Sequence, residues 1–175
     1  MLRRVIFGLL LVLLLTASAV AAQDGGPFAL TIMHTNDTHA GHEPQANGNG
    51  GVARQAAVVK QIRAEVENSL LLDAGDRFTG SLFHTQYLGQ DQVQIMNLLG
   101  YDAMTLGNHE FDNGDSVLAA FLAGLEFPVV SANVDASASP ILGDMWTPTA
   151  ILEVGGQQVG VIGLTTADTP TASSP

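Results

Sequence analysis

The sequence predicts an α/β layered fold built on a mainly parallel sheet, and three observations carry that expectation. Short β-rich runs alternate with segments of helical spacing along most of the chain. One of those runs, Leu70 to Asp73, is apolar until its closing acid, as a strand buried on both faces would be. Each of the first three candidate strands is followed by a loop that offers Asp, Asn or His. Sheets of this kind place ligands beyond the C-terminal ends of their strands, so function is sought in those loops.

The elements follow in order. Phe28 to His34 alternates and is β-rich, which predicts the first strand. Thr35 to Gly51 is a long loop, with turn chemistry in Asn47-Gly48-Asn49-Gly50-Gly51. Val52 to Asn68 is a helix, because Val52, Ala56, Val59, Ile62 and Val66 recur at helical spacing. Leu70 to Asp73 is the second strand. Ser81 to Gly89 and Asp91 to Leu99 are helices that close on Gly. Asp102 to Leu106 is a short strand, and Gly107 to Gly114 a polar loop. Asp115 to Leu125 is a helix with Asp115 or Ser116 at its N-cap. Pro128 to Asn133 is a strand, and Asp135 to Pro148 an irregular connection. Ala150 to Val154 and Gln157 to Leu164 form a hairpin on Gly155-Gly156. Thr165 to Pro175 is small, polar and irregular.

The first residues stand apart from this core. Arg3 and Arg4 precede an apolar run from Val5 to Leu15, and Thr16 to Ala22 is small. That is the order of a secretory signal peptide cleaved after Ala22, with Ala19 and Ala21 as other cleavage points. A membrane anchor is the competing expectation. The apolar run is shorter than the roughly 20 residues a spanning helix needs, so no stable anchor is expected after cleavage. The product is then secreted or periplasmic, with residues 1–22 as leader and 23–175 as the working portion.

Charge narrows the function classes. The 175 residues hold 6 basic against 17 acidic side chains, a net charge of −11. Beyond the leader only Arg54, Lys60, Arg63 and Arg77 are basic. Such a surface repels phosphate backbones and excludes nucleic-acid binding through a basic patch. A small phosphate ester needs a local reversal of sign, which a metal ion supplies. The absence of Cys rules out disulfides, thiolate metal sites and Cys nucleophiles.

The chemistry lies at three strand ends: Asn36-Asp37-Thr38-His39, Asp73-Ala74-Gly75-Asp76-Arg77, and Gly107-Asn108-His109-Glu110-Phe111-Asp112. Taken singly, each has a plainer role as turn or helix cap. Together they offer Asp37, His39, Asp76, Asn108 and His109, a carboxylate, imidazole and amide set suited to Zn, Mn or similar divalent ions. Asp37 and His39 are two apart, so an extended segment would point both at one ion. His42 and His84 are expected to be exposed or packed, and Phe111 to pack under its loop.

These segments resemble the calcineurin-like metallophosphoesterases, and among them the 5'-nucleotidase family. His34-Thr35-Asn36-Asp37-Thr38-His39, Leu72-Asp73-Ala74-Gly75-Asp76 and Gly107 to Asp112 carry the resemblance. Ser131-Ala132-Asn133-Val134 and Gly160 to Thr166 extend it. The resemblance implies a layered β-sandwich flanked by helices, of which this chain is the N-terminal part. It implies two divalent ions (Zn, Mn, Mg or Co) and a nucleotide or other phosphate ester as substrate. Asp37 and His39 would hold the first ion, Asp76 would bridge, and Asn108 would hold the second and touch the phosphate. His109 would stabilise charge on the phosphoryl group or leaving oxygen, with Asp112 orienting its ring.

The family also uses downstream His residues, and no His follows His109 here. A separate nucleotide-binding domain is likewise not among these residues. The expectation is therefore a fragment with little activity of its own, in unknown oligomeric state. Cyclic nucleotides, nucleotide sugars and a sulfur-oxidation intermediate remain as substrates within the family. An exported, non-catalytic binding module remains outside it.

Overall fold

Thr31–Thr35 (β1) and Ser69–Asp73 (β2) pair in parallel along their whole length, Thr31 against Ser69 and Thr35 against Asp73. They open the sheet in a computed structural model that describes residues 27–174. The expected leader lies outside the described residues. Ala103–Thr105 (β3) and Val129–Val130 (β4) continue the sheet in the order β1-β2-β3-β4, every pair parallel. The loops that follow β1, β2 and β3 therefore leave one edge together.

The first strand starts three residues later than its pattern suggests, for a pairing reason. β2 begins at Ser69, so Phe28 to Leu30 have no partner strand. Asn68 fixes the entry instead: its carbonyl accepts the Thr31 N–H at 3.0 Å and its side chain donates to the Ala29 carbonyl at 3.2 Å. That use of Asn68 also shortens the first helix, Val52–Glu65 (α1), because Val66 is already extended.

Leu82–Tyr87 (α2) and Gln90–Leu99 (α3) are separated by Leu88 and Gly89, both left-handed. Gly100, with φ 67°, closes α3. Gly114–Gly124 (α4) starts one residue before the expected cap, and no side chain caps it. A single 3-10 turn, His109–Phe111, runs through helical Asp112 toward that helix. Asp115 accepts instead from Ser139 Oγ.

Met33, Leu71, Phe78, Met96, Met104, Leu106, Leu118 and Phe121 form the buried core between sheet and helices. Phe78 and Phe121 meet edge to face with centroids 5.0 Å apart. Each such side chain stabilises by about 1.5–3 kcal/mol relative to exposure. Along α1 only Val59 is fully buried. A cavity of about 770 Å³ opens between α1 and β1, lined by Ile32, Val58, Ile62 and Gln92 among others.

Thr149–Val154 (β5) and Gln157–Ile162 (β6) form the expected hairpin as a separate two-stranded sheet. Gly155 and Gly156 both have positive φ, which a two-residue hairpin turn of type I′ requires. The C-terminal segment is not wholly irregular: Thr169–Ala172 (α5) forms one helical turn, with Pro170 in its first turn. Among the described residues no helix is long and apolar enough to cross a membrane.

Candidate metal centre

Backbone pairing of loop against loop builds the site. Beyond β1 the N–H groups of Asp37, His39 and Ala40 donate to the carbonyls of Gly75, Asp76 and Arg77, at 3.0, 3.1 and 3.0 Å. The two loops are thus zipped side by side, which carries His39 to Asp76. The expected extended geometry is not what does this. Asp37, His39, Ala40 and Asp76 all have φ between 47° and 59°, in the left-handed region. Such conformations cost of order 1–3 kcal/mol each for residues with a Cβ and need surrounding bonds to hold them.

Glu110 locks the third loop to the second. It has no exposed surface. Its carboxylate accepts the N–H groups of Asp76 at 2.9 Å, Arg77 at 2.6 Å and Gly107 at 2.6 Å. Burial pushes this carboxyl above its ordinary range while those three N–H bonds pull the other way. Asp76 Oδ1 in turn accepts the His109 N–H at 2.9 Å. The two backbones approach so closely that a Cβ on Gly75 would stand 2.2 Å from the Gly107 nitrogen.

The outcome is a cluster of three. Ligand atoms of His39, Asp76 and His109 lie within 4.8 Å of one another, all half-buried. The His39 and His109 rings meet edge to face, centroids 4.9 Å apart. His39 Nδ1 lies 3.0 Å from the Phe78 carbonyl, and His109 Nδ1 lies 2.6 Å from Asp112 Oδ2. A carbonyl only accepts, so His39 Nδ1 carries the proton and Nε2 is left free as a ligand. A second partner that fixes the ring in this way is the usual companion of a metal-binding His. The donor set therefore fits a divalent ion.

The remaining expected residues stand nearby with other partners. Asp37 is outside the cluster of three, and its carboxylate accepts from the Asn36 side chain. Asn108 donates its side-chain N–H to the Ala172 carbonyl at 2.7 Å. Asp112 is taken by His109 and by the Ser174 N–H at 2.8 Å. His42 is occupied with Asp91 at 2.5 Å, and His84 is buried against Asn113 at 2.6 Å, so neither joins the cluster. Phe111 packs against the core, as expected.

Three structural contributors escaped sequence reasoning. Glu110 sat inside the most particular motif, where a buried acid beside His was the available signal. Arg77 is buried and pairs with Asp73 at 2.8 Å, four residues apart, over the Tyr101 ring. Burial pushes the Asp73 carboxyl up, and Arg77 opposes the rise. Thr165 is buried and donates to the Leu106 carbonyl at 2.8 Å, a contact between distant segments that no local pattern announces.

Known proteins share this fold. The sequence model of the calcineurin-like phosphoesterases matches residues 30–172. The crystal structure of the 5'-nucleotidase precursor from Thermus thermophilus superposes with a TM-score of 0.81 at 50% identity, over 85% of this chain and 31% of that one. The Haemophilus influenzae NAD nucleotidase gives 0.76 at 39%, over 83% and 28%. The 5'-nucleotidase of Rattus norvegicus is 45% identical over 159 residues, which is 83% of this chain and 28% of the relative. The chain thus spans less than a third of the length of these relatives.

Proposed function

The chain belongs to the calcineurin-like phosphoesterase family, and on that premise we propose that it is the metal-holding part of an exported hydrolase that cleaves phosphate monoesters of nucleotides. The observation that carries the proposal is the convergence of His39, Asp76 and His109, one from each loop, within 4.8 Å. We place the export signal in residues 1–22 and the phosphoesterase portion in residues 23–175. Similarity to 5'-nucleotidases supports the nucleotide. We assign the nucleoside base no residue in this chain.

The proposed residue roles are those the family resemblance implies. Asp37 and His39 would hold one divalent ion, Asn108 a second, and Asp76 would stand between them. The ion is Zn, Mn, Mg or Co by donor type. Bound there, divalent ions supply the positive charge that draws phosphoryl oxygens and acidifies a bound water. The His39 Nδ1–H bonds the Phe78 carbonyl, which leaves Nε2 as the nitrogen that would face an ion. His109 bonds a carboxylate, which favours the imidazolium. We therefore give His109 the task of presenting a proton at Nε2 to a phosphoryl or leaving oxygen, while Asp112 holds the ring. Asn108 would touch the same phosphate.

Calorimetry with Mn²⁺ or Zn²⁺, together with phosphate release from AMP and from a generic aryl phosphate, tests the proposal. The expected outcome is ion binding that Asp76→Asn removes, with little turnover by this chain alone. Phosphate release that persists in excess chelator overturns the metal-dependent reading.

A further inference from the structure

We propose that residues 165–174 form a fourth wall of the candidate site, a strap that positions Asn108 and Asp112. The proposal rests on the reading that Asn108, His109 and Asp112 work in that site. It adds a positioning element that none of the three loops supplies.

The strap is anchored at its root. Thr165 is 5% exposed. Its Oγ1 donates to the Leu106 carbonyl at 2.8 Å and lies 2.9 Å from Ser131 Oγ. Asn133 takes both faces of its peptide: Oδ1 accepts the Thr165 N–H at 2.9 Å and Nδ2 donates to the Thr165 carbonyl at 2.7 Å. Leu106 immediately precedes Gly107-Asn108-His109, so strap and loop share a fixed origin.

The far end returns to the same loop. The Ala172 carbonyl accepts from Asn108 Nδ2 at 2.7 Å, and the Ser174 N–H donates to Asp112 Oδ1 at 2.8 Å. Between root and end, the turn of α5 fixes the direction of these groups. The Asp168 carbonyl accepts the N–H groups of Thr171 and Ala172, both at 2.9 Å. The Thr169 carbonyl accepts the Ser173 N–H at 3.0 Å and Ser173 Oγ at 2.7 Å.

Two consequences follow from donor and acceptor rules. A carbonyl has no hydrogen to give, so the Asn108 atom that faces Ala172 must be the amide nitrogen. Oδ1, the hard oxygen suited to a divalent ion, is thereby the atom left over. The Asp112 carboxylate is held on both sides, Oδ2 by His109 Nδ1 at 2.6 Å and Oδ1 by Ser174. Held in that way, it cannot turn without breaking one bond, and the His109 ring keeps its orientation.

The test compares Ser174→Pro with Ser174→Ala in the full chain. Pro removes the N–H. The preceding residue presents no obstacle, because Ser173 is already extended, with φ −110° and ψ 167°. Ala keeps the N–H. The deciding readout is hydrogen exchange of the Asn108 side-chain amide by NMR, with Zn²⁺ affinity by calorimetry beside it. Ser174→Pro is expected to speed that exchange and weaken Zn²⁺ binding by about threefold to tenfold, the range set by loss of one hydrogen bond. Ser174→Ala should match the wild type in both. Wild-type exchange of the Asn108 amide in a folded Ser174→Pro chain overturns the strap. Should Ser174→Pro fail to fold, Asn108→Asp, which loses the Nδ2 donor, is read at the Ser174 N–H. Faster exchange there supports the strap, and unchanged exchange overturns it. If exchange responds while even the wild type binds no Zn²⁺, the strap stands and the metal reading fails. If Asp76→Asn abolishes Zn²⁺ binding while Ser174→Pro exchanges like the wild type, the metal reading stands and the strap fails.

Discussion

Glu110 and His109 are neighbours in sequence and do opposite work. Glu110 faces inward and satisfies three backbone N–H groups from two loops. Glu110→Gln keeps the shape but offers one oxygen, and turns an amide N–H toward donors. A buried donor left without a partner costs about 1–3 kcal/mol. Urea denaturation should show a loss of that size, and Zn²⁺ affinity should fall with it, because Asp76 is set by the same bonds. His109 is only partly exposed, and burial disfavours its charged form. The hydrogen bond and charge of Asp112, with the charges of Asp76 and Glu110, outweigh burial and raise its proton affinity above the ordinary 6.5. In the metal-free chain, the His109 ring should titrate above 6.5, and Asp112→Asn should bring the midpoint down. The sign for stability follows from the raised value. His109 binds its proton more tightly folded than unfolded, so its contribution is complete below the unfolded value. It is lost as pH rises through the folded value. The advantage of the wild type over Asp112→Asn should therefore be largest in acid and shrink through neutral pH.

At the scale of elements, the second and third loops meet in a close backbone approach at Gly75 and Gly107. A Cβ at Gly75 would meet the Gly107 nitrogen at 2.2 Å, whereas one at Gly48, also with positive φ, would meet nothing within 4 Å. Gly48→Ala should cost only the left-handed penalty of about 1–2 kcal/mol. Gly75→Ala must in addition push the second loop from the third. It should lose more stability and most Zn²⁺ affinity, a contrast that thermal melts and calorimetry on the two variants would read. The same elements mark what a sequence can carry. Strand and helix identities were legible because Leu70 to Asp73 and the Val52 to Ile62 stripe have periods that physics ties to one structure. Boundaries were less so: the start of β1 depends on where Ser69 begins, a partner 38 residues away. The three loops were legible as a set. Their conformation was not, since four left-handed residues are held by bonds to a different loop. Glu110 and Thr165 were hidden for the same reason, because their partners lie across the fold.

For the whole molecule, charge is the dominant fact. Six basic residues stand against 17 acidic ones, and four of those acids, Asp37, Asp76, Glu110 and Asp112, lie in the site loops. Self-repulsion of this kind weakens the compact state. An ion that binds the folded cluster and not the unfolded chain offsets it by mass action, by about 2.7 kcal/mol when free ion is 100 times its dissociation constant. Zn²⁺ or Mn²⁺ should therefore raise the melting temperature, and chelator should reverse the gain. Of the two proposed ion positions, Asp37, His39 and Asp76 would give one three protein ligands, as catalytic zinc sites take, while Asp76 and Asn108 would give the other only two. Calorimetry on this chain should accordingly give one tight ion rather than two. Monovalent salt separates screening from binding. Added NaCl screens exposed charges and should stabilise the wild type and His39→Ala alike, whereas the divalent gain should vanish in His39→Ala. Equal stabilisation of both proteins by Zn²⁺ would mean that the ion acts as diffuse countercharge. The three loops would then be a built scaffold without a resident metal.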